Sequence, residues 1–303
     1  MSLLAILISL IFERFLPPLH RLRSLAWIGP YHQWMCARLA DHPRWQGVPC
    51  LLVIVLLPVG GIGLAQYLLN DLLLFFGFVF SILVLTYSLG PKDRHYRVQQ
   101  YLDAEDNGDT DSAQRLLEDI FADQECAAEH STPPEEAATR ARLLSEYVLV
   151  QTHEQLLAIL FWFVVLGPMG AMLYRLTVEL MRAECCTRGC NEPSEFQAAI
   201  QRLHYLLAWI PSRLTALSYA VMGSFVHAMH AWQNTPLEET DSHKDTTPPS
   251  HRLLVRIGLA SLQFDHQPPQ DNEAVRETLG LCGRSLVAWV TILALMTLAG
   301  WAS

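Results

Sequence analysis

Charged side chains are scarce in this chain of 303 residues. They make up 17% of it, whereas about 25% is usual for a soluble domain. Lysine and arginine together number 21 against 30 acidic residues, and the resulting net charge of −9 excludes the basic face that a nucleic-acid-binding protein needs. Hydrophobic residues, in contrast, reach 51%. The composition therefore predicts an integral membrane protein, or a very hydrophobic helical one, that binds no nucleic acid.

Several familiar motifs are also missing. No stretch follows the P-loop pattern GxxxxGK[ST], so any nucleotide site would be unconventional. The seven cysteines form no regular disulfide framework. The run "ECCTRGC" at 184–190 has only His227 and His230 as a candidate second ligand pair, which favours unligated thiols over a zinc site. The N-terminal apolar run has no basic segment before it, which favours a retained membrane anchor.

Long apolar runs predict an all-α integral membrane protein with about four transmembrane helices. Short loops rich in arginine and lysine follow the first and third runs, which places these loops in the cytosol and the N-terminus outside. The mixed segment between 17 and 48 suits either an interfacial amphipathic element or a loop packed on the protein. The predicted spans cover residues 3–16, 50–69 and 71–89 within an N-terminal membrane region of 1–89, and 280–302 within a C-terminal region of 264–303.

The polar stretch 90–155 predicts a cytosolic helical hairpin, assembled from three amphipathic segments. Residues 156–263 form a broken-helix core, in which 233–250 is rich in Asp, Thr and Pro and reads as a mobile loop. The break is expected to make part of this core re-entrant or interfacial. A second crossing pair formed by 156–174 and 214–231 is the alternative.

The apolar run "LLAILFWFVVLGPMGAMLYRLTVEL" contains helix breakers and a cation. Gly167, Pro168 and Gly170 interrupt it, and Arg175 follows. "WIPSRL" repeats the arrangement with Pro211 and Arg213. Irregular backbone at membrane depth needs protein or a wet cavity around it, and an intramembrane arginine is costly unless it is paired or functional. The pattern predicts a shared pocket for an anion; the alternative is that each arginine extends to the headgroups.

Four motifs in this order resemble the AmpE family: "IFERF" with Glu13 and Arg14, "LGPKD" with Asp93, "LFWF…LGPMGAMLYR", and "WIPSRLTALSYAVMGSF". The resemblance covers nearly the whole chain. It implies a multi-pass protein of the bacterial inner membrane that is linked to the regulation of β-lactamase induction. The family is encoded beside AmpD, a cytosolic amidase of cell-wall recycling, and is described as a signalling modulator or sensory transducer.

AmpE is in turn distantly similar to the CobD/CbiB amide synthases of cobalamin biosynthesis, which use ATP and magnesium. The likeness centres on Phe161–Trp162, Tyr174–Arg175 and the stretch from Trp209 to Ala216. Several polar motifs with acidic residues flank these landmarks in those enzymes. The stretch of this chain that matches the first of them, "VQTHEQ", keeps Thr152 and Glu154, and the acidic residues of the others are replaced. Magnesium requires several oxygen ligands, so these losses should weaken Mg–ATP binding.

The resemblance and the residues together leave two functions open. The first is a regulator that binds an anionic cell-wall-derived or nucleotide ligand, or signals to a cytosolic partner such as AmpD, with no cofactor and no metal. The second is a membrane-bound ligase of CobD/CbiB type that uses ATP and magnesium, with Glu154 and Thr152 as catalytic candidates. A purely structural role in membrane lipid, as a homodimer packed through the glycine-rich second span, is a third option beside these two. The ligand-binding candidates are Arg175, Arg213, Tyr174, Gly167 and Gly170, and the structural candidates are Glu13, Arg14, Asp93, Phe161, Trp162, Pro168, Trp209 and Pro211.

Overall fold

The structure is a computed structural model of the full chain. It describes residues 5–7, 9, 27–39, 47–72, 74–90, 93–124, 134, 136–188, 195–234, 248–264 and 272–299, and all structural statements concern these ranges. The described backbone is helical throughout and contains no strand. The helices are α1 (Ile28–Leu39), α2 (Val48–Leu72), α3 (Leu74–Leu89), α4 (Asp93–Asp106), α5 (Thr110–Gln124), α6 (Ala137–Thr152), α7 (Ala158–Leu166), α8 (Pro168–Arg188), α9 (Glu195–Met222), α10 (Phe225–Gln233), α11 (Pro249–Ser261) and α12 (Asn272–Leu298). A π-helical turn, His153–Leu157, joins α6 to α7.

The chain divides into two compact units. The first unit comprises Met1–Lys92, Glu154–Leu207 and Thr291–Ser303. In this unit α8 packs against α1, α2, α3 and α7. Its core is formed by apolar side chains that include Ile54, Leu176 and Ile200. Because α8 touches four other helices, its polar side chains are held within the unit, and this arrangement positions the candidate site.

The second unit comprises Asp93–His153 and Ala208–Val290. Helix α5 packs along α4, and α11 packs against both α6 and α10. Ile120, Leu144 and Leu254 are fully buried in its core. In α5, apolar residues recur at helical spacing and face this core while charged residues face outward, which is the pattern of a helix half immersed in water. Each such buried side chain stabilises the unit by about 1.5–3 kcal/mol.

Three helical segments are long and apolar enough to cross a membrane: Val48–Asp71, Ala137–Leu166 and Asn272–Thr297. Phe75–Leu89 is a shorter apolar helix. The predicted all-α membrane fold is confirmed, with apolar helices over the predicted spans 50–69, 71–89 and most of 280–302. Most of the predicted span 3–16 lies outside the described residues.

The structure differs from the sequence-based expectation at three places. The turn of the first hairpin was expected at 70–71, but α2 continues to Leu72. Residues 137–166 run as one apolar helical segment, although 137–155 were expected to belong to a cytosolic hairpin. This segment is 67% buried, against 28% for each of the other two candidate spans, so its apolar character serves packing within the protein to a greater extent. Helix α9 passes through Pro211 without interruption, and the break expected there occurs instead after Met222.

Candidate functional site

A sharp turn at Gly167 separates α7 from α8. Gly167 has φ +68°, a conformation that favours glycine, and Pro168 occupies the first position of α8, where its missing N–H costs nothing. A Cβ added at Gly170 would lie only 2.3 Å from the carbonyl oxygen of Trp162. In a continuous helix residues eight positions apart are separated by about 12 Å, so the chain folds back on itself here. The predicted break is present, and both glycines are required by backbone geometry.

Arg175 lies on α8 two turns after this break and is buried. Its Nη2 atom is 2.9 Å from Oε1 of Glu179, one helical turn further along. A Cβ added at Gly90 would lie 2.7 Å from the same Nη2 atom, so the guanidinium packs directly on the Gly90 backbone. Gly90 follows the last residue of α3 and has φ +69°. A cation at a helix C-terminus is favourable because the helix dipole is negative there.

Glu179 connects Arg175 to a second arginine, Arg182. Nη1 of Arg182 lies 3.6 Å from Oε1 of Glu179, the same oxygen that Arg175 approaches. Nη2 of Arg182 donates a hydrogen bond of 2.6 Å to Oε2 of Glu154. Nε2 of His204 is 3.8 Å from the other oxygen of Glu154. We call these five side chains the ion-pair network; with His204 neutral, its formal charges cancel.

Burial differs within the ion-pair network. The side chain of Glu154 is 3% exposed, and that of His204 is 1% exposed. The side chains of Glu179 and Arg182 are each 20% exposed. Solvent therefore reaches the network from the side of Glu179 and Arg182, whereas Glu154 forms its closed end.

The π-helical turn places Glu154 at this closed end. A π-turn inserts one extra residue into a helix and rotates the side chains that follow, and such turns are frequent at functional sites. Thr152, the other retained residue of "VQTHEQ", donates from Oγ1 to the carbonyl of Val148 at 2.7 Å. Tyr174 is fully buried, and its ring centroid is 6.1 Å from that of His204. Tyr174 thus lies beside the network, and its role in ligand binding stays a prediction.

Trp162 compensates for the proline in α9. Proline has no N–H to offer to the carbonyl four residues earlier, and for Pro211 that carbonyl belongs to Leu207. Nε1 of Trp162 donates a hydrogen bond of 3.0 Å to this oxygen. Phe161 contacts Trp162 edge to face, with ring centroids 5.3 Å apart. The Phe-Trp pair, which the sequence shows only as a landmark, therefore contacts α9 at Leu207, two residues before the "WIP" motif.

Arg213 belongs to the second unit, whereas Arg175 belongs to the first. The Arg213 guanidinium stacks 4.0 Å from the ring centroid of Trp209 and donates from Nη1 to the Trp209 carbonyl at 3.0 Å. The shared pocket for Arg175 and Arg213 stays a prediction.

Glu13 and Arg14 lie outside the described residues, as do residues 189–194 with Cys190 and 235–247 of the predicted mobile loop. Asp93 begins α4, and its side chain is not described.

Arg182 is the site residue that sequence reasoning missed. Its signal was present in "YRLTVELMR", since positions 175, 179 and 182 are spaced by four and three residues and so share one face of a helix. No sequence pattern points to His204 as a neighbour of Glu154. Its proximity to Glu154 depends on the tertiary contact between α9 and the π-turn.

Apolar helices around a buried, charge-balanced network define an all-helical integral membrane protein. Within that class the chain belongs to the AmpE family: the family model of the regulatory signalling modulator protein AmpE matches residues 1–302. The resemblance seen in the sequence motifs is thereby confirmed, and membership supports a regulatory role at a membrane.

Two cobalamin biosynthesis proteins CobD are similar to part of the chain. The protein from Stutzerimonas stutzeri (strain A1501) is 36% identical over 95 residues, which are 31% of this chain and 30% of that protein. The protein from Chromobacterium violaceum is 39% identical over 95 residues, 31% of this chain and 28% of that protein. The chain therefore matches less than a third of the length of these curated relatives. No solved structure matches the chain significantly.

Proposed function

We propose that this protein is a regulator of the bacterial inner membrane that binds an anionic ligand at the ion-pair network. The ligand is a cell-wall-derived muropeptide or a nucleotide, and its binding is linked to β-lactamase induction and cell-wall recycling. Family membership supports the regulatory part of this proposal. The observation that carries the ligand site is that Arg175 and Arg182 converge on one carboxylate oxygen of Glu179.

This convergence suits an anion chemically. Two guanidinium groups that meet at one oxygen offer several N–H donors to a carboxylate or phosphate, which arginine recognises through charge-assisted hydrogen bonds. The pair proposed from the sequence was Arg175 with Arg213. The structure adds Arg182 as a neighbour of Arg175 on the same helix, so the proposed site needs only residues of the first unit.

Glu179 has to move for a ligand to bind. The ion-pair network is already neutral, so an anion added beside Glu179 would face a like charge in a poorly solvated place. Glu179 is more exposed than Glu154 and can turn toward solvent, whereas Glu154 keeps Arg182 in position. In the resting protein Glu179 thus occupies the place that we assign to the ligand anion.

A ligand at this site would also reach the backbone that leads out of the membrane helices. The Arg175 guanidinium packs on Gly90, and the next helix in the chain, α4, begins at Asp93. Withdrawal of the guanidinium toward a ligand would relieve that contact. We propose that the signal passes from here to the polar helices α4 and α5, which we assign to the cytosolic side, and from them to a partner such as AmpD.

The test is ligand binding to purified protein in detergent, with an anhydromuropeptide and ATP as probes. Arg175→Ala and Arg182→Ala should each weaken binding by about tenfold or more, because a hydrogen bond to a charged group contributes about 1.5–3 kcal/mol. Glu179→Gln should strengthen binding, since it removes the competing charge. Arg142→Ala is the matched control, because Arg142 also pairs with a glutamate one turn away, Glu146, but is 63% exposed. Equal binding by the wild type and all variants would refute the proposed site.

A second candidate function is a membrane-bound ligase of CobD/CbiB type. The observations that favour it are the 95-residue similarity to CobD proteins and the buried position of Glu154. Magnesium-dependent ATP turnover that is lost in Glu154→Gln would support this function. Glu154 is already bound to Arg182, and neutralisation of this kind weakens a carboxylate as a magnesium ligand. Absence of turnover with every acceptor tried, together with anion binding, would favour the regulator.

A homodimer in the membrane accompanies this proposal. Among the described residues, no atom lies within 4 Å of a Cβ added at Gly60 or Gly61 on α2, so no described residue packs on these glycines. Small residues let two membrane helices approach closely. Gly61→Leu should then abolish a dimer detected by cross-linking in vesicles, whereas an unchanged dimer would exclude this contact.

A further inference from the structure

The second half of α9 buries small side chains, two polar ones among them, and exposes large apolar ones. The residues that point inward include Ser212 and Thr215, which are fully buried. Thr215 bonds to His153 at 3.0 Å, and Ser212 bonds to the Trp209 carbonyl. The residues that point outward are large and apolar. Contiguous exposed apolar side chains are rare on the water-facing surface of a protein, so this face indicates contact with something other than water.

The outward residues form one continuous surface, which we call the apolar strip. They follow each other at intervals of one, three or four positions and so share a single helical face. Leu217, at the middle of the strip, is 43% exposed, whereas its neighbour Ala216 is 0% exposed. From Trp209 to Val221 the strip is about 18 Å long, which exceeds half of the roughly 30 Å hydrocarbon thickness of a bilayer. Its members are Trp209, Ile210, Leu214, Leu217 and Val221.

Arg213 is the single charged residue of α9 between 209 and 222, and its side chain is folded toward one end of the strip. It stacks on Trp209 and bonds to the Trp209 carbonyl, one turn toward the N-terminus. An arginine beside lipid lowers its cost by extending toward the headgroups, and tryptophan is enriched at that level. The conformation of Arg213 therefore distinguishes a shallow end at Trp209 from a deep end at Val221.

We propose that the apolar strip of α9 lies against phospholipid acyl chains, with Trp209 and Arg213 near the headgroups. Helix α9 is not among the candidate spans found in the described residues, but its exposed large side chains between 209 and 221 are apolar apart from Arg213. This face carries no acidic and no lysine side chain, which suits contact with acyl chains. A surface that binds a soluble protein is ordinarily surrounded by a rim of polar residues. This inference does not depend on the proposed anion site.

The test places the photo-reactive amino acid benzoylphenylalanine in the full chain, reconstituted in vesicles of phosphatidylethanolamine and phosphatidylglycerol. At Leu217, irradiation should give a phospholipid adduct that mass spectrometry detects. Glu118, an exposed residue of α5, is the matched control and should give none above background. Val221 provides a second position if the Leu217 variant does not fold, as judged by its elution as a single species.

The outcomes separate the occupants of the strip. A phospholipid adduct at Leu217 or Val221, absent at Glu118, supports contact with acyl chains. Cross-linking of Leu217 to a second copy of the chain would overturn the proposal in favour of a protein interface. Absence of any lipid adduct from both strip positions, in folded protein, would overturn it in favour of a surface outside the bilayer.

Discussion

Replacement of Trp162 by phenylalanine tests whether its indole N–H compensates for Pro211. The variant keeps an aromatic ring but removes the donor to the Leu207 carbonyl, at 3.0 Å in the structure. Leu207 is buried, and its carbonyl cannot receive the usual helical bond because residue 211 is proline. A buried carbonyl left without a partner costs about 1–3 kcal/mol. We expect Trp162→Phe to lower the free energy of unfolding by this amount.

A double-mutant cycle with Pro211→Ala makes the prediction specific. Alanine restores an N–H at position 211, which can donate to the Leu207 carbonyl as in any helix. In this background Trp162→Phe should cost less than in the wild type, with a coupling energy of about 0.5–3 kcal/mol, the range for residues that share a partner. Each free energy would be measured by unfolding in mixed micelles with increasing dodecyl sulfate, followed by circular dichroism.

The matched control is Trp232→Phe. Trp232 packs against the core of the second unit, so the substitution removes similar ring volume without the Leu207 contact. It should show no coupling to Pro211→Ala. If Trp162→Phe destabilises the protein equally with and without Pro211, the indole does not replace the missing helical bond, and the physical link between the two motifs would be refuted.

Three further predictions concern other contacts. Arg182→Ala should destabilise the protein by about 3–5 kcal/mol, because it removes the arginine that pairs with the buried carboxylate of Glu154. Adding Glu154→Gln should recover part of the loss in the same unfolding assay; no recovery would contradict the pairing. Gly90→Ala should cost more than Gly108→Ala, since both glycines have positive φ but only Gly90 has a guanidinium packed on it; equal thermal shifts would argue against that contact. Hydrogen bonds from Ser112 lower the pKa of the exposed Asp109 carboxyl. The contribution of the ionised carboxylate to folding stability is therefore present at neutral pH and is lost as the pH falls through the folded-state pKa. Asp109→Asn should reduce the acid dependence of the melting temperature, and an unchanged dependence would contradict this.

The candidate site could be found from sequence only in part. Arg175 was identified because a cation inside an apolar run is unusual, and Glu179 and Arg182 could have been added because their spacing on one helix is a local property. The bond between Arg182 and Glu154 joins residues 28 positions apart. No periodicity predicts such a pair, since it depends on how α8 packs against the π-turn.

Pro168 and Pro211, two prolines of the predicted broken core, show the same division. At 167–168 glycine with positive φ and a following proline end one helix and begin the next, and these are conformational preferences of the residues themselves. At Pro211 the helix continues, because a side chain 45 positions away from Leu207 satisfies the carbonyl that the proline leaves open. Whether a proline breaks a helix depends on whether the fold supplies that donor.

The sequence by itself determined the membrane class, the positions of the main apolar helices, the break at Gly167 and the family, because hydropathy, backbone preference and motif order are all local properties of the chain. Only the tertiary structure decided which charges neutralise one another, which carbonyl Trp162 serves and which face of α9 is apolar and exposed. These features are set by contacts between residues far apart in the chain. Such contacts form, and stabilise the fold, only when the helices pack against one another.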